Sequence, residues 1–156
     1  MFKKAITIGR ADKIDLPDFQ LFDIDAKVDS GAYTSAINCS RVKVKKVNGE
    51  SVLSFYIPGN RIHEKKARKF STTNFVQKRI KSSNGEIEER YVVRTHVELF
   101  GHKILAEFSL SDRSKMKYPI LLGRKLLRLG FVVDVRKKNL SFQKKYKNED
   151  SSTLKK

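Results

Sequence analysis

The sequence predicts an all-β protein, and three observations carry that prediction. Apolar residues recur at every second position along much of the chain, which is the period of strands with one buried face. The pair Asn84-Gly85 favours a hairpin. Both central residues of a type I′ hairpin turn take positive φ, which explains the preference for Asn-Gly in such turns. Helical patterns are scarce, and many short strands separated by turn residues are typical of a β-sandwich or barrel.

The strands can be assigned from this period. In "YVVRTHVELF" the side chains from Tyr91 to Leu99 alternate between an apolar face and a face that carries Arg94, His96 and Glu98. "KILAEFSL" repeats the pattern after a tight turn, so residues 70–110 are predicted to form a three-stranded meander. The alternation in "RVKVKKV" also predicts a strand. Further strands are expected near residues 4–8, 24–28, 35–39, 51–57, 119–122, 131–135 and 139–142.

One short helix is predicted, from Arg124 to Gly130, where three leucines cluster before a terminating glycine. At 156 residues the chain is expected to be a single domain, with its fold in residues 1–142. Residues 143–156 lack apolar periodicity, so we predict a disordered basic tail there.

The charge is strongly positive and unevenly distributed. The chain has 34 Lys and Arg against 17 Asp and Glu, and residues 41–81 alone hold twelve cations and only two acids, Glu50 and Glu64. Such a patch attracts polyanions, which could be nucleic acid, an acidic protein segment or a membrane surface. A solvated basic face that only maintains solubility explains the charge equally well.

Several functional classes are excluded or disfavoured by the sequence. No apolar run approaches the roughly 20 residues that cross a bilayer, and the apolar patch after Met1 is too short for a signal peptide. The single cysteine, Cys39, excludes an internal disulfide and is expected to be a small core residue. We therefore expect a soluble, cytoplasmic protein with no membrane partner.

Cofactor and metal motifs are also missing. None of the eight glycines is followed by lysine, so there is no Walker-type ATP loop. "HEKKA" begins as a zinc motif at His63-Glu64, but Ala67 stands where the second histidine is required. We expect no metal site and no cofactor.

The stretch "AKVDSGA" is an apolar strand that ends in Asp29, Ser30 and Gly31. The glycine permits a sharp turn, and the serine can form a hydrogen bond across it. In isolation Asp29 would be an ordinary turn-capping aspartate. A second segment, "YPILLGRKLLRLG", changes this interpretation because it places a strand, Gly123-Arg124 and a helix some 90 residues later.

The stretches "VDSGAYTSA" and "ILLGRKLL" resemble the active-site loop and the C-terminal Gly-Arg helix of retropepsin-like aspartic peptidases. Residues 6–142 as a whole resemble a bacterial retropepsin-like family that carries the name ATP-dependent zinc proteases. The resemblance rests on four stretches in this order: "IGRADKIDLPD", "AKVDSGAYTSAINC", "IKSSNGEIEERYVVRT" and "LLGRKLLRLGFVVDVRKKNLSF". It implies a closed acid-protease β-barrel with one short C-terminal helix. The ATP and zinc of the family name conflict with the residues, and we follow the residues.

The resemblance also implies a mechanism. Retropepsin-like enzymes hold two Asp-Thr/Ser-Gly loops face to face, and this chain has one, so a homodimer would bring together Asp29 from each subunit. Ser30 would brace the loops and Gly31 would let the substrate backbone approach. Ala32 offers no hydroxyl to favour the ionised carboxylate, so we expect the pair to keep its shared proton up to mildly acidic or near-neutral pH.

Gly123 and Arg124 are expected to support the loop. In retropepsins this arginine pairs with an acidic residue just beyond the catalytic turn, whereas Tyr33 and Thr34 stand at those positions here. Arg124 must therefore have another partner, or the dimer contact is built differently. The hairpin at Ser82, Ser83, Asn84 and Gly85 is either a substrate-covering flap or a plain surface hairpin.

The substrate is inferred from the resemblance and the charge together. The family is associated with ATP-grasp ligases that add glutamate to proteins, and a positive cleft suits a peptidase that trims peptide or acidic protein chains. The alternative is a non-catalytic basic module of the same fold that binds acidic protein tails or RNA. A monomer would favour that alternative.

Overall fold

Within residues 2–81, 84–112 and 116–154, which the computed structural model describes, the chain forms twelve β-strands and two α-helices. The strands are β1 (Ile6–Ile8), β2 (Ala11–Leu16), β3 (Leu21–Val28), β4 (Ser35–Asn38), β5 (Ser40–Val47), β6 (Glu50–Ile57), β7 (Arg68–Thr72), β8 (Phe75–Lys81), β9 (Ile87–Leu99), β10 (His102–Ser111), β11 (Ile120–Leu122) and β12 (Phe131–Val133). The helices are α1 (Arg124–Leu127) and α2 (Leu140–Leu154).

Seven strands form the main sheet, in the order β10-β4-β11-β3-β2-β9-β8. Because β9 also pairs with β10, the series of paired strands returns to the strand from which it began. Strands β5, β6 and β7 form a separate three-stranded sheet, and β1 pairs with β12 in parallel. The predicted all-β class is confirmed.

The predicted meander is present as β8, β9 and β10. Its second turn is tight: Leu99 pairs with His102, and the two residues between them, Phe100 and Gly101, both have positive φ. The first turn is longer, since the last pair of β8 and β9 joins Lys81 to Ile87. Ser82 and Ser83 lie outside the described residues.

The strand period places the core as expected. On β9, Val93 and Val97 are fully buried while Arg94 on the opposite face is exposed. Phe108 of β10 and Phe55 of β6 are also completely buried. Each such side chain contributes about 1.5–3 kcal/mol when removed from water.

Strand β2 is absent from the sequence predictions. Nearly all of its residues are buried, including the carboxylates of Asp12 and Asp15, so it shows no alternation between apolar and polar positions. A strand covered on both faces lacks the period-two signal.

Helix α2 occupies the place of the predicted strand at 139–142 and of the predicted disorder from residue 143 onward. The reason is a set of long-range contacts. The Asp12 carboxylate accepts hydrogen bonds from the N–H groups of Ser141 (2.9 Å) and Phe142 (3.1 Å), which caps the start of the helix. One turn later Lys145 pairs with Asp15 and Asp23 of the main sheet.

Candidate active site

The loop that carries Asp29 begins where β3 ends beside β11. The two strands run in parallel with Val28 opposite Leu122, and the Asp29 N–H donates to the Leu122 carbonyl at 2.9 Å. The Ala32 N–H then donates to the Asp29 carbonyl at 3.3 Å, which closes a turn. Within this turn the Gly31 N–H donates to the Asp29 carboxylate at 3.0 Å. The aspartate is therefore held at the end of β3, beside the buried strand β11, and is itself half-buried.

The N-terminal end of helix α1 packs against the Asp29 loop. Its first N–H groups have no partner within the helix, and two of them donate to loop carbonyls: Arg124 to Ala32 at 2.8 Å and Lys125 to Tyr33 at 2.9 Å. Gly123 makes this approach possible, because a Cβ there would lie 2.7 Å from the Tyr33 carbonyl oxygen. The Gly-Arg pair thus contacts the loop through backbone as well as side chain.

The Arg124 side chain has the alternative partner that the sequence required. Its guanidinium donates to the Ser30 carbonyl at 2.8 Å and lies over the Tyr33 ring, 5.8 Å from the ring centre. A backbone carbonyl and an aromatic face therefore take the place of the acidic residue expected in retropepsins.

Ser35 is a loop-supporting residue that the sequence analysis missed. It is 2% exposed, and its hydroxyl accepts the Gly123 N–H at 3.0 Å. Its own carbonyl accepts the Ser109 hydroxyl at 3.4 Å. No local signal could have identified it, because a serine at the start of a strand is common and its partners are 74 and 88 positions away.

A cleft of about 760 Å³ opens in front of the loop. Asp29, Gly31, Ala32 and Arg124 line it on one side. The β8 arm of the candidate flap hairpin, residues 78–81, lines the other. Of the described tip residues, Asn84 and Gly85 are exposed and do not line the cleft.

Cations predominate among the charged residues in the described lining of the cleft. Two carboxylates are present, Asp29 and Glu107. Six cations accompany them: Lys78, Arg79, Lys81, Arg90, Arg124 and Lys125. The described lining therefore carries a net positive charge, which favours an anionic ligand.

Glu107 is the second functional candidate that the sequence analysis missed. Its side chain is only 10% exposed and pairs with Lys78 at 2.9 Å, with Arg94 at 3.7 Å and with Lys125. Hydrogen bonds from Lys125 and Lys78 lower the pKa of Glu107 from its ordinary value of 4.5 to about 2. We call these four residues the Glu107 cluster. Its members come from β8, β9, β10 and α1, so no short stretch of the sequence contains all four.

Other reactive groups lie outside this arrangement. Cys39 is buried, and burial raises the pKa of its thiol to about 12, so the thiol stays protonated. His96 faces Asp18, with 2.8 Å between Nδ1 and the carboxylate. In the part of the chain that the structure describes, no group of three or more His, Cys, Asp or Glu residues is placed to hold a metal ion.

The chain matches a known protein family over most of its length. Residues 7–144 match the RimB-like family, described as "Retropepsin-like aspartic endopeptidase RimB". A protein of Shewanella halifaxensis named "Probable alpha-L-glutamate ligase" is 35% identical over 134 residues, which is 86% of this chain and 29% of that protein. One of the same name from Desulfotalea psychrophila is 31% identical over 127 residues, covering 81% and 27%. The chain thus spans less than a third of these curated relatives.

A solved structure agrees with the fold. Protein Lpg0085 of Legionella pneumophila, of unknown function, superposes with a TM-score of 0.69 and 22% identity, covering 86% of this chain and 97% of that one. At this identity the likeness concerns the fold alone. No helix in the described part of this chain is long and apolar enough to cross a membrane.

Proposed function

The chain belongs to the RimB-like family of retropepsin-like aspartic endopeptidases, and we propose that it hydrolyses peptide bonds with two Asp29 carboxylates, one from each subunit of a homodimer. The observation that carries the proposal is the position of Asp29. It lies at the end of β3, beside the buried strand β11, braced by the Gly123-Arg124 contact and open to a cleft of about 760 Å³.

The proposed chemistry needs one ionised and one protonated carboxylate. The ionised Asp29 of one subunit takes a proton from a water molecule, and the oxygen of that water attacks the peptide carbonyl carbon. The protonated Asp29 of the other subunit donates its proton to the carbonyl oxygen. Collapse of the tetrahedral intermediate breaks the C–N bond, and a carboxyl proton passes to the leaving nitrogen. Two carboxylates this close share one proton because both cannot ionise cheaply.

The second carboxylate is assigned to another copy of the chain because Glu107, the other carboxylate of this cleft, is unsuited to the role. Three cations surround it and its pKa is about 2, so it stays ionised at any pH near neutrality and cannot carry the shared proton. Among the described residues no cation pairs with the Asp29 carboxylate. A symmetric dimer supplies the missing partner without any further residue.

The substrate we propose is an acidic peptide, with glutamate tails as the first candidate. The cationic cleft supports this choice because a chain of carboxylates would be attracted to it. The names of the relatives supply a second reason, since those proteins are described as glutamate ligases. We propose that this chain acts in the cytoplasm on chains made by such a ligase.

The decisive experiment compares the wild type with Asp29→Asn on two labelled peptides, one ending in several glutamates and one neutral. We expect the variant to lose more than about a thousandfold in turnover, because it removes the general base, while a chelator leaves the wild type unaffected. Unchanged turnover in Asp29→Asn would refute the aspartic mechanism. Loss of activity with chelator would indicate metal chemistry instead, and equal cleavage of both peptides at low salt would refute the acidic substrate.

A subunit-mixing experiment tests the dimer. At a tenfold excess of Asp29→Asn subunits, random pairing leaves only about one wild-type subunit in eleven with a wild-type partner. Wild-type activity should then fall to about a tenth after subunit exchange. A monomeric enzyme would keep its full activity, and a monomer without Asp29-dependent turnover would be the non-catalytic binding module.

A further inference from the structure

Strand β5 (Ser40–Val47) is an exposed edge of the three-stranded sheet. Within the described residues its backbone pairs with β6 alone, and residues 43–47 are all exposed. An edge strand presents a row of free N–H and C=O groups on its outer side, which another extended chain can pair with. The edge lies outside the residues that line the Asp29 cleft.

The outward face of this sheet is cationic along β5. Lys43 pairs across the sheet with Ser54, and Lys45 pairs with Val52, so both lysines lie on the face opposite the buried Leu53 and Phe55. Arg41 joins this face, because its guanidinium lies 5.0 Å from the centre of the Tyr56 ring.

Among the described residues, Arg41, Lys43 and Lys45 form no ion pair. Two valines on the same strand are also open to solvent: Val44 is 38% exposed and Val47 is 52% exposed. Val44 pairs with Leu53 and Val47 with Glu50, so the valines lie on opposite faces, and a strand laid along β5 would border one valine on each face and bring its side chains beside the cations.

The spacing and charge of the β5 side chains favour one kind of partner chain. Side chains on one face of a strand repeat every two residues, or roughly 6.6 Å, so Lys43 and Lys45 have the same spacing as alternate side chains of an extended peptide. Opposite charges directly across a strand pair are stabilising, and like charges are destabilising. The cations therefore hinder pairing between two copies of β5 and favour pairing with an acidic strand.

We propose that β5 is a docking strand for an extended acidic peptide, which adds to the sheet edge with its carboxylates beside Lys43 and Lys45. The choice of an acidic peptide rests on the proposed function, since the same chain would be held at this edge while another part of it enters the cleft. The edge then acts as a binding site outside the catalytic centre.

Binding is tested in the Asp29→Asn background, which prevents turnover. The probe is a fluorescein-labelled L-glutamate peptide of eight residues, the length of β5, followed by anisotropy at low salt. Replacing Lys43 and Lys45 together by serine should weaken binding about tenfold, as expected for two exposed ion pairs. The matched control replaces Lys137 and Lys138, exposed lysines beyond β12, by serine and should change binding less than about twofold. Equal loss in both variants would overturn the proposal.

Amide hydrogen exchange distinguishes strand addition from simple charge attraction. Addition of a strand should slow exchange at the outward N–H groups of β5 when the peptide is bound, whereas a loosely attracted polyanion leaves them unprotected. Absence of protection in β5 would overturn the proposal. An RNA oligonucleotide that displaces the peptide and binds more tightly would reassign the face to nucleic acid.

Catalysis separates this proposal from the proposed function. With Asp29 intact, Lys43→Ser/Lys45→Ser should raise KM for a glutamate-tailed peptide about tenfold and leave kcat unchanged, as expected for loss of uniform binding. An unchanged KM would overturn the docking strand while leaving the peptidase intact. If the wild type cleaves nothing, the proposed function fails, and the anisotropy and exchange measurements still decide whether β5 binds acidic peptides.

Discussion

Two carboxylates, Asp29 and Glu107, are among the described residues that line the cleft, and their surroundings differ. Glu107 is 10% exposed and surrounded by Lys78, Arg94 and Lys125, which lower its pKa to about 2. Asp29 is half-buried, accepts a hydrogen bond from the Gly31 N–H and has no ion pair among the described residues. Glu107 therefore stays ionised near neutral pH, whereas no cation in the described part of the chain pairs with Asp29.

This difference supports the separate roles that we propose for the two carboxylates. The Glu107 cluster joins the β8 arm to α1, and α1 in turn supports the Asp29 loop through Gly123. A carboxylate that neutralises cations from several elements holds those elements together. Asp29, on its braced turn, is the carboxylate to which we assign proton transfer in the proposed function.

Among substitutions that leave Asp29 in place, the largest effect is expected from Gly123→Ala, which disrupts the support of the Asp29 loop. The added Cβ would lie 2.7 Å from the Tyr33 carbonyl oxygen and 2.8 Å from the Thr34 carbonyl carbon, so α1 and the loop must separate. A displacement of about 1 Å at a reacting group can reduce turnover about a hundredfold. Peptidase kinetics and a thermal melt measure the change.

The control for this substitution is Gly101→Ala. Gly101 has positive φ, but no atom outside its chain neighbours lies within 4 Å of its Cβ position. The control should cost about 1 kcal/mol of stability with unchanged turnover. Normal activity in Gly123→Ala would mean that the contact between α1 and the loop is unimportant for Asp29.

An intermediate effect is expected from Glu107→Gln, and the quantity that it changes is the stability of the fold. Because the folded-state pKa is depressed, the contribution of Glu107 to stability is complete above its ordinary pKa of 4.5 and is lost as the pH falls towards about 2. The variant should therefore melt below the wild type at neutral pH, and the two should converge near pH 2. Peptide hydrolysis should remain measurable in this variant, in contrast to Asp29→Asn.

Glu88→Gln is the matched control, since Glu88 pairs with Arg90 and its own side chain is 49% exposed. An ion pair with an exposed carboxylate contributes little, so its melting curve should follow that of the wild type at every pH. If Glu107→Gln behaves in the same way as this control, Glu107 has no structural role and the contrast with Asp29 disappears.

The smallest effect is expected from Arg124→Lys. Lysine keeps the charge but cannot place a planar guanidinium over Tyr33 while donating to the Ser30 carbonyl. The loss should be about 0.5–1 kcal/mol in stability, with a few-fold reduction in turnover. Arg128→Lys, on an exposed position of the same turn, should change neither quantity. A larger loss in Arg128→Lys than in Arg124→Lys would contradict the assigned contacts.

Local patterns predicted the features that depend on neighbouring residues. The alternation along β9 predicted its buried face, with Val93 and Val97 inside and Arg94 outside. Phe100-Gly101 formed the expected tight turn. Asn48-Gly49 carries the same Asn-Gly signal as Asn84-Gly85 but is absent from the predicted turns. Both of its residues have positive φ, and they lie between the paired Val47 and Glu50.

Features that depend on distant partners were not predictable. Strand β2 is buried on both faces, so it lost the alternation that identifies strands. The carboxylate that caps the start of α2 belongs to Asp12, about 130 positions earlier in the chain, so the local sequence does not contain it. The tail is rich in Lys and polar residues, a composition typical of disorder. The ion pairs of Lys145 with Asp15 and Asp23 join it to the sheet, and these partners are distant in sequence.

The sequence by itself determined the all-β class, the hairpins, the Asp-Ser-Gly turn and its relation to Gly123-Arg124, because strand periods, turn conformations and short motifs are encoded within a few residues. Only the tertiary structure decided the partner of Arg124, the role of Ser35, the assembly of the Glu107 cluster and the edge position of β5. Each of these depends on side chains from separate strands meeting in space. Hydrogen bonds and ion pairs act over a few ångströms, and only the folded chain brings residues many positions apart within that reach.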